Sequence, residues 1–225
     1  MSSTSPVQPA WIITLTQALS SWLSQHPLFA HHPGSTSLRT HLAGVLDPHS
    51  WPAQLALLQQ DLLHLQVAFH EAGHAAASYA LTSQEEVWGI RLWFPLDLSS
   101  EEHAGRAYVL ERWDWPSTQE EIRIKLATVL AGALFHPQIR QVQFSGGVEG
   151  DEATATALAR QLGWNLEEAY ADAYQQLNRP DLQAAVDVLA AEAFSRLAQG
   201  QGDVDEDTTA QILGEYLTRP HRGNP

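Results

Sequence analysis

Residues 67–80 read V-A-F-H-E-A-G-H-A-A-A-S-Y-A, and this stretch predicts both a central helix and the chemistry around it. His70 and His74 stand four residues apart, so a helix puts both imidazoles on one face, about 6 Å apart along its axis. Two ring nitrogens can then hold one small cation. Glu71 is rotated off that pair but borders the space in front of it, where a general base would act on an activated water. The neighbours Ala68, Phe69, Ala72, Ala75, Ala76, Ala77 and Ala80 are small or apolar on nearly all sides. That describes a buried helix, not a solvated one with two surface histidines. Gly73 costs a helix about 1 kcal/mol relative to Ala, so something is expected to pack closely against it.

Upstream, Pro52 suits the first turn of a helix, and Leu55, Leu58, Leu62, Leu65, Phe69, Ala72 and Ala76 follow at steps of three and four. The H-E-x-x-H spacing then falls in the second half of one long helix. Earlier in the chain, Trp11, Leu15, Leu19, Trp22 and Leu23 predict an amphipathic helix behind a polar tail, Met1–Gln8. Residues 26–50 carry Pro27, Pro33, Gly34, Gly44 and Pro48 among five histidines and read as a loop. The adjacent pair His31 and His32 could suggest a second metal site, but neighbours in such a loop rarely converge on one ion.

Downstream, 87–94 and 105–110 are rich in strand formers and predict a small antiparallel ribbon beside the active helix. Its free edge would accept an extended peptide, which makes Gly105, Arg106, Ala107, Tyr108 and Val109 candidate substrate-binding residues. Trp113 and Trp115 are expected to pack in the core in preference to lining a cleft. Ser117, Thr118, Glu120 and Glu121 mark a helix start, and that helix ends before Pro137. A glycine-rich turn, 141–151, leads to a helix over 152–162 whose alanine face would approach the active helix and bring Asp151 near the histidines. Zinc held by two histidines needs a third protein ligand, with the fourth position left for water. Asp151 is the first choice, although Asp also commonly caps helices; Glu149, Glu152, His103 and His136 are rival ligands. Three further helices are expected, over 166–177, 181–198 and 207–217, with a linker at 199–205.

Composition sets limits. The 225 residues can form one large domain or a domain with an appendage, and the pattern divides them into an N-terminal appendage 1–50, a metal-binding domain 51–217 and a flexible tail 218–225. A net charge of -14 repels phosphate backbones and anionic lipid, so neither nucleic acid nor membrane is expected as a partner. No apolar run reaches the roughly 20 residues of a membrane span, and the N-terminus lacks a signal-peptide pattern, so a cytoplasmic location is expected. With no cysteine in the chain, His and carboxylate are the strong metal ligands left.

Two segments resemble the peptidase domain of FtsH-type ATP-dependent zinc metalloproteases. F-H-E-A-G-H-A at 69–75 looks like that family's zinc helix, and G-D-E-A-T-A-T-A-L-A-R at 150–160 is similar to its second ligand segment. The order of strand, loop, G-R-A-Y-V, helix ending in L-A-G at 130–132 and helical C-terminal region also matches, so the likeness covers roughly 60–217. It implies a mainly α zinc-peptidase domain with Zn2+ on His70, His74 and Asp151 and Glu71 as general base. The implied reaction is hydrolysis of peptide bonds in flexible or unfolded polypeptides. It also raises a separate ATPase and a homo-oligomer as partners. Two departures stand out. The residues after L-A-G are Ala133, Leu134, Phe135 and His136, where the family continues with an Arg and a Glu, and no phosphate-binding G-x-x-x-x-G-K-[ST] occurs in this sequence. The other readings are a zinc-stabilised interaction module without catalysis, which would need a fourth protein ligand, and a regulatory protease for one specific protein.

Overall fold

The computed structural model describes residues 8–82, 87–93, 106–111, 116, 118–139 and 148–218. Helix α4, Trp51–Leu81, is 31 residues long, runs through the centre and carries the H-E-x-x-H sequence in its second half. From Leu65 to Ala80 nearly every residue is buried, because alanines at 68, 72, 75, 76, 77 and 80 let neighbouring helices close in on all sides. Those neighbours are α3 (Thr36–Val45), α5 (Gln119–Leu134) and α8 (Pro180–Ala198).

The N-terminal segment differs from the expected loop. Residues 26–50 contain α2 (Pro27–His31), a short 3-10 turn at Pro33–Ser35, and α3. Pro27 and Pro33 sit at the starts of α2 and the 3-10 turn, where a missing N–H costs nothing, while Pro48 lies in the turn between α3 and α4. His31 is exposed, and His32 lies 3.8 Å from Glu192 in place of sharing an ion with its neighbour. Helix α1 spans Ala10–Gln25, as its spacing predicts, but the buried stripe begins at Ile12, and Trp11 is 52% exposed. Trp22 and Phe29 pack on Phe69, and Phe29 also packs on Phe194 of α8. Each such aromatic pair adds about 0.5–1.5 kcal/mol beyond its buried area. Phe69 is thereby fixed on one side of α4, which sets the next residue, His70, about 100° further around the helix.

The sheet is antiparallel, in the order β2-β1-β3, with β1 at Val87–Trp93, β2 at Arg106–Glu111 and β3 at Asp203–Val204. Ile90 faces Val109 and Leu92 faces Ala107 across the first pair, with an irregularity between Val87 and Gly89. Ile90 and Leu92 are buried while Arg91 is exposed, the alternation of a half-buried strand. The third strand lies in the expected linker, where Val204 is fully buried and pairs with Leu92. Both β1 and β2 pack against α4, so the ribbon does lie beside the helix that carries the two histidines. Phe94, Gly105, Trp113, Trp115 and most of the glycine-rich turn lie outside the described residues.

Helices α6 (Val148–Leu162), α7 (Leu166–Leu177) and α9 (Glu206–Tyr216) complete the fold. Capping boxes start α5, at Thr118 and Glu121, and α7, at Asn165 and Glu168. Arg123 donates to both carboxylate oxygens of Asp172, at 3.2 and 2.6 Å, and ties α5 to α7. Among the described residues, no helix is long and apolar enough to cross a membrane.

Candidate metal centre

Close contact between α4 and α5 builds the site. A Cβ added to Gly73 would lie 2.8 Å from the carbonyl oxygen of Ala131, so α5 backbone is the close partner expected at that glycine. Gly132, the next residue, lies against the imidazoles themselves. A Cβ there would lie 2.6 Å from both His70 Cε1 and His74 Nε2, far inside van der Waals contact. The L-A-G sequence thus brings α5 backbone to the mouth of the histidine pair.

Asp151 closes the arrangement from α6, by a different route from the expected one. Helix α6 begins at Val148, ahead of the predicted 152, and Asp151 sits in its first turn with an acidic side chain at the positive end of the helix. The buried positions of α6 are Ala155, Leu158 and Ala159, and the helix packs on α5 and α7. Helix α5 therefore takes the place expected for α4, and Asp151 reaches the histidines around it.

His70 Nε2, His74 Nε2 and Asp151 Oδ2 form a triangle with all three sides 3.1 Å. A tetrahedral zinc with bonds of about 2.0–2.1 Å needs ligand atoms about 3.3 Å apart, so the triangle is one face of such a site to within a few tenths of an ångström. Both outer ring nitrogens are engaged as well. His74 Nδ1 donates to the Thr128 carbonyl at 2.8 Å, which leaves the lone pair on Nε2. His70 Nδ1 is 3.0 Å from His136 Nε2, and a proton on that Nδ1 likewise frees Nε2 of His70 for metal. Three electron-rich atoms then converge on one point. Such a set repels itself unless a cation sits among its members, so the residues present fit a zinc ion.

The electrostatics without metal show the same demand. Burial works against charge on His74, but the hydrogen bond with Asp151 and the charges of Glu71 and Asp151 prevail and raise its pKa to about 9. For Asp151 burial works upward, yet the two histidines hold its carboxyl down at about 2. The proton on His74 stands in for the missing positive charge beside ionised Asp151. His136 is pushed down to about 4 by burial and by the charges of His70 and His74, so it is neutral at pH 7 and can accept a hydrogen bond.

The rivals for the third ligand place separate by position. Glu149 is exposed, and Glu152 accepts a hydrogen bond from Tyr170 at 3.2 Å. His136 stands behind His70, on the side away from the triangle. His103 lies outside the described residues. His70, His74 and Asp151 are the one group of His, Asp and Glu among the described residues whose ligand atoms could share an ion. Glu71 is buried and near enough for its charge to act on His74. Sequence reading missed Thr128 and Gly132, which act through backbone atoms, and Tyr170, whose phenol is kept neutral, at a pKa of about 12, by burial and by Glu152 and Asp151. Arg106, Ala107, Tyr108 and Val109 lie on β2, an outer strand of the sheet.

No family model matches the chain, and a search of curated protein sequences finds no match to it.

Proposed function

We propose that the chain is a zinc-dependent metallopeptidase that hydrolyses peptide bonds in extended or unfolded polypeptide. The observation that carries this reading is the 3.1 Å triangle of His70, His74 and Asp151 with a buried glutamate, Glu71, beside it. Three protein donors leave a tetrahedral ion one open corner, which favours catalysis over a closed structural site. A bound zinc supplies Lewis acidity, lowering the pKa of water toward about 7 and polarising a carbonyl. Glu71 takes the proton from the attacking water and hands it to the departing amine. Thr128 and His136 hold the two imidazoles so that both Nε2 atoms stay aimed at one point. The outer edge of β2, at Arg106–Val109, offers backbone groups for an extended substrate.

The test separates binding from chemistry. Glu71→Gln should keep one zinc per chain by elemental analysis while casein hydrolysis falls by about 10²–10⁴. His70→Ala, His74→Ala and Asp151→Ala should lose tightly held zinc, and Glu149→Ala should not. Full activity in Glu71→Gln, or wild-type zinc in a histidine variant, would remove this reading.

A further inference from the structure

A second polar cluster lies on the other side of α4 and has no part in the chemistry above. Asp61 precedes His70 by nine residues, which is half a turn around the helix. It borders a cavity of about 300 Å3 between α3, α4 and the C-terminal end of α8. That volume is at the small end of the range for ligand pockets.

Asp61 is only 5% exposed. His41 Nδ1 donates to its Oδ2 at 2.7 Å, and Ser37 donates to its Oδ1 at 3.4 Å. Burial raises the Asp61 pKa from its ordinary value against the pull of His41, His64 and Ser37, so these neighbours do not fully offset the cost of burying its charge. A second buried group opens on the same space. His64 is 9% exposed and lines the cavity, although its Nδ1, which has no hydrogen-bond partner, is itself closed off from it. Burial lowers the His64 pKa, which keeps the ring neutral. The last turn of α8, through Leu197 and Ala198, also lines the cavity and brings the negative end of a helix dipole, about half an elementary charge. Arg196, the cation in that turn, is engaged by Glu192 at 2.7 Å and by the Asp203 carbonyl at 3.1 Å.

A buried carboxylate, a neutral imidazole and a helix C-terminus all favour a positive guest. A bare metal ion fits poorly, because the one trio of ligand atoms close enough to share an ion is that of His70, His74 and Asp151. Leu57 and Leu197 add an aliphatic wall. We propose that this cavity binds a small organic monocation, an alkylguanidinium or alkylammonium, with its head group on Asp61 and His64 and its stem along Leu57 and Leu197. The head group could belong to a free compound or to an arginine side chain of a polypeptide. This inference stands independently of the peptidase reading.

The experiment is a calorimetric or NMR titration of the full chain with n-butylguanidinium chloride at constant ionic strength. A protonated guanidinium has no lone pair for zinc, so it does not compete with His70, His74 and Asp151 for the ion, and the Asp61 and Leu57 variants locate its binding. Saturable binding with Kd roughly 1 mM is expected for so small a ligand. Asp61→Asn should weaken it at least about tenfold, and neutral n-pentanol should not bind. Leu57→Trp, at a position already 41% exposed, should block the cavity while leaving the fold intact, so it tests the site even if Asp61→Asn fails to fold. Acetyl-arginine amide binding more tightly than n-butylguanidinium would identify a polypeptide as the source, and weaker binding a free compound. Absence of saturation, equal binding by n-pentanol, or unchanged binding in Leu57→Trp would overturn the proposal.

Discussion

Gly132 lies so close to His74 that a Cβ on it would sit 2.6 Å from Nε2, the atom assigned to metal. Gly132→Ala should therefore displace an imidazole or push α5 away from α4. We expect zinc affinity, measured by competition with a chromophoric chelator, to fall at least about tenfold, with about 1–3 kcal/mol lost in stability from overpacking. Gly150→Ala is the control, since nothing lies within 4 Å of a Cβ there. Wild-type affinity in Gly132→Ala would mean that the two helices do not meet as described.

His136 accepts from His70 Nδ1 at 3.0 Å, so its substitution should act on zinc without removing a ligand. His136→Ala is expected to weaken zinc binding about 10- to 100-fold, the usual cost of losing such an outer partner. His136→Gln, which can still offer an acceptor, should recover part of that loss. If both variants bind zinc as wild type does, the contact does not orient His70.

In the metal-free protein, His74 has a folded pKa of about 9 against 6.5 for an ordinary histidine. A raised pKa contributes stability that is complete below about 6.5 and is lost as pH rises through about 9. Asp151, lowered to about 2, contributes stability lost only in acid, and His136, lowered to about 4, acts below this window. Thermal unfolding in the presence of a chelator should therefore show Tm falling between pH 6.5 and 9. Zinc bound in place of the His74 proton should remove that fall. A metal-free Tm that is level or rising across the window would contradict the assignment.

A peptide laid along a strand edge must be extended, because a folded protein's backbone groups are already paired internally. No phosphate-binding loop occurs in this sequence to drive unfolding. Purified chain should thus cleave a destabilised variant of a substrate protein faster than its stable parent, in proportion to the open population, and ATP should change neither rate. Equal rates on both substrates, or stimulation by ATP alone, would count against this.

Local sequence determined much of the fold. The three- and four-residue spacing around Phe69 places a buried helix with both histidines on one face, and Thr118 with Glu121 starts α5 where the capping pattern predicts. These are interactions within a few residues, which a linear reading can see. Residues 26–50 misled because proline marks both loops and helix starts, and only packing against α4 and α8 decides between them. The short strand at Asp203–Val204 exists because β1 supplies its hydrogen bonds. At the candidate metal centre the sequence named His70, Glu71 and His74 and chose Asp151 from five candidates. Tertiary structure decided how Asp151 arrives, around α5 and not directly over α4. It also assigned His136, Thr128 and Gly132 their places, since a backbone carbonyl, a missing Cβ and a ring 66 residues away in sequence gain meaning only when two helices touch.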